Sequence, residues 1–410
     1  MRYLTLFLVI SLLLFLLVIG CSKEKTTEPT KETIKLGEIL PMTGALAAYG
    51  PSMQNGTILV VKEINATDGI LGKNMELIHK DSQTSSDVGV AAAQELLSEY
   101  SVPVIIGAAG SAISIKIATD VTIPNSVVQI SGASTSPEIT NLNDNGYFFR
   151  TVPSDAYQGK IIAKKAWNMG YRKAATMFVT GAYGQGLSDA FKTQFVDSLG
   201  GTVCAEVEYE YDPVQGSYAT EVATAFADTP DVVILAGYVA DGSVIMKDWH
   251  NGGFGGNWIF TDGLKSETFV TNVGASILKG FIGTAPTVMP SESYTNFVTA
   301  YGIEFGENPG IYAANFYDAT MLIGLAIVKA GTATSLAIRD ALPLVANPPG
   351  TTIRAGEFYK ALEELKNGND INYEGAAGLC NFDDAGDVSG PYEIWQIDEN
   401  GEIKIIEIIP

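Results

Sequence analysis

The residues of this chain that could do chemistry are small hydroxyls and one isolated acid, placed in loops beside predicted helices and strands. Ser111 lies just before a predicted helix, where free backbone N–H groups and the helix dipole favour an anion such as a carboxylate. Ser134 and Thr135 offer the same hydroxyls from the next loop. Asp262 follows a predicted strand, and an acid there suits an ammonium group. Together these residues predict a pocket that holds a zwitterion by both poles.

Tyrosines surround the same loops. Tyr238 ends another predicted strand and could add a cation–π contact to an ammonium group. Tyr49, Tyr183 and Tyr312 could form the remaining walls. Taken singly, the serines and Asp262 suit plain helix N-caps equally well, and the tyrosines suit a core. The prediction of a site therefore depends on the joint pattern.

Catalytic and metal-binding patterns are missing from the sequence. The two histidines, His79 and His250, are isolated, and Ser/His or Cys/His catalysis needs a base beside its nucleophile. The three cysteines form no CxxC pair or Cys/His cluster, so we expect no zinc site. The glycines of residues 181–186 follow GxxGxG spacing rather than the GxGxxG of dinucleotide loops. We expect neither an enzyme nor a bound metal or cofactor.

The net charge of the chain limits the kinds of partner that it can bind. It carries 25 Lys and Arg against 46 Asp and Glu, a net charge of −21. Nucleic-acid binding needs clustered Lys and Arg, so the balance argues against that partner. A strongly acidic chain also resists association, and we expect a monomer.

The order of the predicted elements indicates an α/β fold. Strands and helices alternate from Ile34 to Thr151, and the alternation starts again at Asp155 and continues to Thr284. Such alternation predicts two doubly wound parallel-sheet lobes. The following residues are predicted to be mainly helical, before a terminal hairpin around Asn400-Gly401. We assign residues 33–152 and 286–390 to lobe I, and residues 153–285 and 391–410 to lobe II.

In open parallel sheets, ligands bind beyond the carboxyl ends of the strands. The candidate residues lie in loops that follow predicted strands or precede predicted helices, except Tyr312, which begins a predicted helix. Two lobes facing each other would therefore place these loops on opposite sides of one cleft.

The first residues form an export signal. Arg2 is followed by 18 uncharged residues, from Tyr3 to Gly20. The run ends in Val-Ile-Gly-Cys, which resembles a bacterial lipobox. We predict a signal peptide over residues 1–20, lipidation of Cys21 and a flexible polar tether over residues 21–32. These features predict an extracytoplasmic, membrane-anchored protein; an uncleaved signal anchor is the alternative.

From Ile34 to about Ile397 the chain resembles the leucine/isoleucine/valine-binding, type I solute-binding proteins. The resemblance is carried, in chain order, by LPMTG (40–44), YG (49–50), GAAGS (107–111), SGASTSP (131–137), FRT (149–151), YG (183–184), GY (237–238), TDG (261–263), YAAN (312–315), NFD (381–383) and GD (386–387).

This resemblance implies two lobes joined by three crossovers that close around an amino acid, branched-chain or related, for an ABC permease and its ATPase. It implies that Ser111 and Thr135 hold the ligand carboxylate and that the Ala133 carbonyl accepts from the ammonium. It further implies that Asp262 pairs with the ammonium, helped by Tyr238. The remaining tyrosines of the family pattern line the side-chain pocket, and here these are Tyr49, Tyr183 and Tyr312.

Some features leave alternatives open. Well-known members of that family have Glu where this chain has Asp262, and Lys265 could pair with Asp262 or meet an acidic ligand. Cys204 and Cys380 could form a disulfide or remain buried free thiols. The acidic segment 383–387 misses the spacing of a calcium loop and is predicted to be a turn. A sensing module that presents a small carboxylate or amide to a receptor is the rival function.

Overall fold

The computed structural model describes residues 31–212 and 216–410. The predicted signal peptide, Cys21 and most of the predicted tether lie outside these residues. The strands are β1 (Thr33–Leu40), β2 (Asn74–Asp81), β3 (Val104–Gly107), β4 (Val128–Ser131), β5 (Phe148–Arg150), β6 (Lys173–Val179), β7 (Thr202–Tyr209), β8 (Val232–Ala236), β9 (Asn257–Phe260), β10 (Ile282–Pro286), β11 (Thr351–Arg354), β12 (Ile371–Glu374), β13 (Tyr392–Ile397) and β14 (Ile403–Ile409).

Helices connect most of these strands. They are α1 (Gly50–Ala66), α2 (Ser86–Tyr100), α3 (Ser111–Ile117), α4 (Asp155–Asn168), α5 (Ala182–Lys192), α6 (Ala219–Phe226), α7 (Val239–Asn251), α8 (Glu267–Val273), α9 (Ala275–Leu278), α10 (Glu292–Phe305), α11 (Ala313–Ala330), α12 (Ser335–Ala346) and α13 (Phe358–Lys366). Short additional turns of helix lie at Ala118–Thr122, Ile139–Asn141, Thr193–Ser198 and Asp262–Leu264.

Two large sheets organise the described chain. The first has the strand order β2-β1-β3-β4-β5 and is parallel throughout. The second has the order β14-β13-β10-β9-β8-β6-β7 and is parallel except at β13, which runs antiparallel to both β10 and β14. Strands β3, β4, β5 and β8 are buried along their whole length, as expected when helices cover both faces of a sheet. The predicted α/β class with two doubly wound sheets is confirmed.

The chain passes between the two sheets three times. It leaves the first sheet after β5, returns after β10 to build α10–α13, and enters the second sheet again at β13. The domain bounds drawn from the sequence stay a prediction.

Residues after β10 differ in part from the sequence-based expectation of a mainly helical region. Strands β11 and β12 form a small parallel sheet there, and before β10 the helices α8 and α9 were also not predicted. These elements are short, and their strands TTIR and INYE alternate with polar residues rather than forming an apolar run. The helix predicted over residues 187–199 instead begins at Ala182 and continues as a wider turn over Thr193–Ser198.

Helix α11 is a core helix of the lobe that contains the first sheet. It is buried from Ala313 to Ile327 almost without interruption and packs against α1 and α12. Among the described residues no single helix is long and apolar enough to cross a membrane, and α11 with α12 reach that length only as a pair bent by 106°.

The two cysteines within the described chain do not bridge. The Cys204 thiol donates to the carbonyl of Ala174 at 3.3 Å, on β6 of the second sheet. Cys380 is buried beside the carbonyl of Gly378, in the segment between β12 and β13. Of the two alternatives left by the sequence, the structure has the free thiols.

Candidate ligand-binding site between the two sheets

A small closed cavity lies between the carboxyl ends of the two sheets. Seven of the nine predicted ligand-binding residues line it: Tyr49, Ser111, Ala133, Tyr183, Tyr238, Asp262 and Tyr312. Leu46, Met53, Ala109, Gly110 and Gly263 complete the lining. The centre of a water-sized sphere can occupy about 30 Å³ of it, which is room for about two or three water molecules. A larger solute can therefore enter only if the two sides separate.

One wall carries the hydroxyl and backbone groups suited to an anion. Ser111 begins α3 and is buried, with its Oγ accepting from the backbone N–H of Ser136 at 3.2 Å. This bond ties the loop after β3 to the loop after β4. Ser111 keeps its hydroxyl proton for a ligand, because an oxygen that accepts can still donate.

Ser134 and Thr135 are buried but do not line the cavity. The Ser134 hydroxyl lies near the carbonyls of Ala108 and Ala109 and 2.8 Å from the Ser114 hydroxyl. The Thr135 carbonyl accepts from the N–H of Asp155 at 2.8 Å. Both residues shape the loop that carries Ala133, and their direct contact with a ligand stays a prediction.

The opposite wall centres on Asp262, which is 4% exposed. Its Oδ1 accepts from the Gln158 amide and the Tyr183 hydroxyl, both at 3.0 Å, and its Oδ2 accepts from the Tyr312 hydroxyl at 2.5 Å. All three donors are uncharged. Burial raises the pKa of Asp262, while these hydrogen bonds oppose the rise. The acid is thus oriented but not neutralised by protein cations.

Lys265 does not form an ion pair with Asp262. Its ammonium is paired with Glu393 of β13, so the pairing with Asp262 that the sequence left open does not occur.

The tyrosines form a stacked and hydrogen-bonded wall. Tyr183 and Tyr238 stack with their ring centroids 5.6 Å apart and an interplanar angle of 12°. Burial raises the pKa of Tyr49, Tyr183, Tyr238 and Tyr312, so each phenol keeps its proton and can donate.

Two hydrogen bonds cross the gap between the sheets. The Tyr49 hydroxyl, from the segment after β1, donates to the carbonyl of Gly263 at 3.0 Å. Tyr312, at the start of α11, reaches Asp262 from the same side. Tyr312 has a left-handed backbone with φ of 67°, an uncommon conformation for a tyrosine. These contacts hold the cavity shut.

A buried ion pair supports the loop that carries Ala133. Arg150, fully buried, binds Asp387 through Nε and Nη2, both at 2.6 Å. Its Nη1 donates to the carbonyls of Ser136 at 2.9 Å and Ser134 at 3.3 Å. The predicted turn at residues 383–387 therefore joins the ligand loop to the third passage between the sheets, and Asp383 caps that turn.

Asp155 and Gln158 were missed by sequence reasoning. Asp155 follows the N-cap Ser154 of α4, where an acid is an ordinary first-turn residue, and Gln158 lies one turn later. Nothing in a single sequence separates such an acid from a plain helix start. Asp155 is nevertheless fully buried, and burial together with Asp262 holds its pKa well above the usual range.

Comparison with known proteins now decides the family. Residues 33–401 match the sequence profile of the periplasmic binding proteins. The chain belongs to the periplasmic binding protein family. Members are binding proteins rather than enzymes and act outside the cytoplasm, as the sequence predicted.

Three curated relatives are similar over most of their length. The Leu/Ile/Val-binding protein BraC3 of Rhizobium johnstonii is 28% identical, over 73% of this chain and 80% of the relative. The Leu/Ile/Val-binding protein homolog 3 of Brucella melitensis is 26% identical, over 91% and 94%. BasB of Halobacterium salinarum, a substrate-binding protein of a chemotactic signal transduction system, is 26% identical, over 90% and 88%.

Solved structures share the fold. The leucine-binding protein LivK of Thermotoga maritima has a TM-score of 0.77 at 24% identity, covering 92% of this chain and 98% of its own. LivJ of Streptococcus pneumoniae, in complex with isoleucine, has a TM-score of 0.75 at 22% identity, covering 92% and 99%. A solute-binding protein of Rhodopseudomonas palustris with 3,4-dihydroxybenzoic acid has a TM-score of 0.72 at 24% identity, covering 92% and 97%. The sequence-based resemblance to Leu/Ile/Val-type binding proteins is confirmed.

Proposed function

We propose that this periplasmic binding protein captures an amino acid, branched-chain or related, between its two lobes and delivers it to an ABC importer. The observation that carries the proposal is the opposition of Ser111 and Asp262 across one closed, tyrosine-walled cavity. The hydroxyl and nearby backbone groups suit a carboxylate, and the buried, uncompensated acid suits an ammonium. Curated relatives named for leucine, isoleucine and valine support the same ligand class.

Capture would proceed by closure. With the lobes apart, Ser111 and Asp262 face water on opposite sides of the cleft. A zwitterion can contact both residues at once only when the two sides approach each other. The ligand therefore binds the closed form more tightly than the open form, and this difference in affinity shifts the equilibrium toward closure. The bonds from Tyr49 to Gly263 and from Tyr312 to Asp262 then complete the enclosure. A permease and its ATPase would recognise the closed form.

Lipidation of Cys21 would anchor this binding protein to the membrane. The lipobox-like end of the export signal supports that placement. Replacement of Cys21 by Ser should then release the protein from membranes, and fractionation of cells that express the two forms measures it. Equal membrane retention of both forms would favour an uncleaved signal anchor.

A thermal-shift screen against the common L-amino acids tests the ligand class. A ligand that binds only the folded form, at a hundred times its Kd, should stabilise the fold by about 2.7 kcal/mol. Screening of benzoate-type acids in parallel tests the solute type seen in the Rhodopseudomonas protein. A shift with the acids and none with any amino acid would overturn the proposal.

Sensing is the second candidate function, favoured by the similarity to the chemotactic binding protein BasB. The capture step would be the same, and only the recipient of the closed form would differ. Uptake of labelled ligand separates the two, because loss of this protein abolishes uptake only if it serves an importer.

A further inference from the structure

Two buried acids interact on one side of the site: Asp262 lines the cavity, and Asp155 lies outside that lining. Asp155 begins α4 and Asp262 follows β9, and they are 0% and 4% exposed. Gln158, three residues after Asp155, donates its amide to Asp262 at 3.0 Å. Residues three apart lie on the same face of a helix, so Asp155 and Gln158 both face Asp262.

Asp155 has no protein counter-charge. Within the part of the chain that the structure describes, neither of its carboxylate oxygens has a hydrogen-bond partner of normal geometry, although the neutral Thr135 hydroxyl lies beside it. Arg150 is near enough to favour the charged form. Its guanidinium, however, is already bound to both oxygens of Asp387 and to two loop carbonyls.

The remaining neighbours are neutral or already paired. Four tyrosines interact electrostatically with both acids, and burial raises the pKa of each phenol. They are Tyr183, Tyr238, Tyr312 and Tyr392. Asp241, beside Tyr238, is held by the Tyr209 hydroxyl, and burial raises its pKa to about 6. Lys265, three residues after Asp262, is paired with Glu393. None of these groups neutralises Asp155 and Asp262.

Two buried carboxylates that interact, and whose neighbouring cations are already paired, cannot both ionise at low cost. We propose that Asp155 and Asp262 together hold one proton in the unliganded site and that a bound ammonium group displaces this proton to solvent. The inference rests on the proposed function and deepens it. The ligand keeps the three protons of its ammonium, and the shared proton of the carboxyl pair leaves to water or buffer.

This exchange selects for ligands that carry a cation. One positive charge replaces another, so the net charge of the pair with its occupant is the same before and after binding. A carboxylic acid that lacks an ammonium group has nothing to displace the proton, and it would bind without release. Affinity for a zwitterion should rise with pH across the range in which the pair loses its proton.

Calorimetry in buffers of different ionisation enthalpy measures the released proton. L-Leucine and any other amino acid that shifts the melting temperature would be titrated into the protein between about pH 5 and about pH 8. We expect release that approaches about one proton per ligand in the lower part of that range and falls to none above it. The Asp155→Asn variant should show no release, whereas Asp197→Asn, a charge change on the exposed end of the helix after α5, should keep it.

A second measurement needs no ligand. Carbon NMR of aspartate carboxyl groups should show one of the two acids still protonated well above about pH 4, the ordinary aspartate range. Ordinary titration of both acids, or amino-acid binding without proton release throughout the range, would overturn the inference and leave the proposed function intact. Absence of amino-acid binding would instead overturn the proposed function and the exchange together, even if the carboxyl titration showed a shared proton.

Discussion

Asp262 accepts three hydrogen bonds, all from neutral groups, and this arrangement leaves its charge for a ligand. Gln158 and Tyr183 belong to the same sheet assembly as Asp262, whereas Tyr312 reaches it from the other side of the gap. The acid is thus held in place before a ligand arrives.

Replacement of Asp262 by Asn should remove the cation-binding pole. We expect a loss of about 2–5 kcal/mol in the free energy of amino-acid binding, as for other buried charge pairs that lose one partner. Titration calorimetry measures it, and Asp197→Asn serves as the control for the same charge change away from the cavity. Unchanged affinity in Asp262→Asn would remove this residue from the site.

Replacement of Ser111 by Ala should weaken binding less. A single neutral hydroxyl contributes about 0.5–1.5 kcal/mol, so the dissociation constant should rise by about tenfold or less. Ser134→Ala is the informative comparison, because Ser134 is equally buried but its hydroxyl bonds to Ala108 and Ala109 of the preceding loop and to Ser114 of α3. Equal losses of affinity with unchanged stability in both variants would mean that Ser134 also reaches the ligand.

Sequence reasoning found the cavity residues that lie at strand ends, because the carboxyl ends of parallel strands converge in space. It could not find Asp155 or Gln158. An acid in the first turn of a helix is favourable by itself, and only the folded structure shows that no solvent reaches Asp155.

At the scale of elements, the loop after β4 is held by the third passage between the sheets. Arg150 of β5 binds two carbonyls of that loop and both oxygens of Asp387. Movement of the passage would therefore be transmitted to the loop that carries Ala133. The buried pair links the connection between lobes to the site itself.

Replacement of Asp387 by Ala should leave the Arg150 charge buried without its partner. We expect the free energy of unfolding to fall by about 3–5 kcal/mol, measured by denaturant titration. Asp384→Ala, an exposed acid in the same turn, should change it by less than about 0.5 kcal/mol. Similar losses in the two variants would show that the turn, and not the pair, provides the stability.

Strands that form continuous apolar runs were predicted correctly from the sequence, and short strands of mixed polarity were not. Strands β3 and β8 are continuous apolar runs and begin and end where the sequence predicted. Strands β11 and β12 have four residues each and mixed polarity, so their pairing depends on long-range contacts that no local pattern records.

At the scale of the whole molecule, the structure is the closed form of a two-lobed trap. The gap is bridged by Tyr49 and Tyr312, and the enclosed space is too small for an amino acid to enter without opening. Two doubly wound sheets were predictable from the alternation of strands and helices, and three passages were implied by the family resemblance. The degree of closure was not, because it depends on contacts between residues more than two hundred positions apart, such as Tyr49 and Gly263.

Replacement of Tyr312 by Phe should shift the molecule toward the open form, because the bond to Asp262 is lost while the ring remains. Small-angle scattering should then show a larger radius of gyration than in the parent protein without ligand, and compaction of both on ligand addition. Identical scattering of the two unliganded proteins would mean that Tyr312 does not stabilise closure.

Ionisation of Asp155 should make the free energy of unfolding depend on pH. Its folded-state pKa lies above the unfolded value, so its contribution to stability is fully present below the unfolded pKa of about 3.9 and is lost as pH rises through the folded pKa. Asp155→Asn removes this loss and keeps a side chain of nearly the same size beside the Thr135 hydroxyl. Relative to the parent, the variant should therefore gain stability as pH rises from about 4 toward neutrality. Thermal unfolding at several pH values measures the difference, and a constant difference would contradict it.

The proposed function requires that an amino acid binds between Ser111 and Asp262. Titration calorimetry of the parent protein with the common L-amino acids, repeated with Asp262→Asn, tests this directly. We expect saturable binding of at least one amino acid, one molecule per chain, that Asp262→Asn loses and Asp197→Asn keeps. No heat with any amino acid, or equal affinity in the parent and Asp262→Asn, would contradict it.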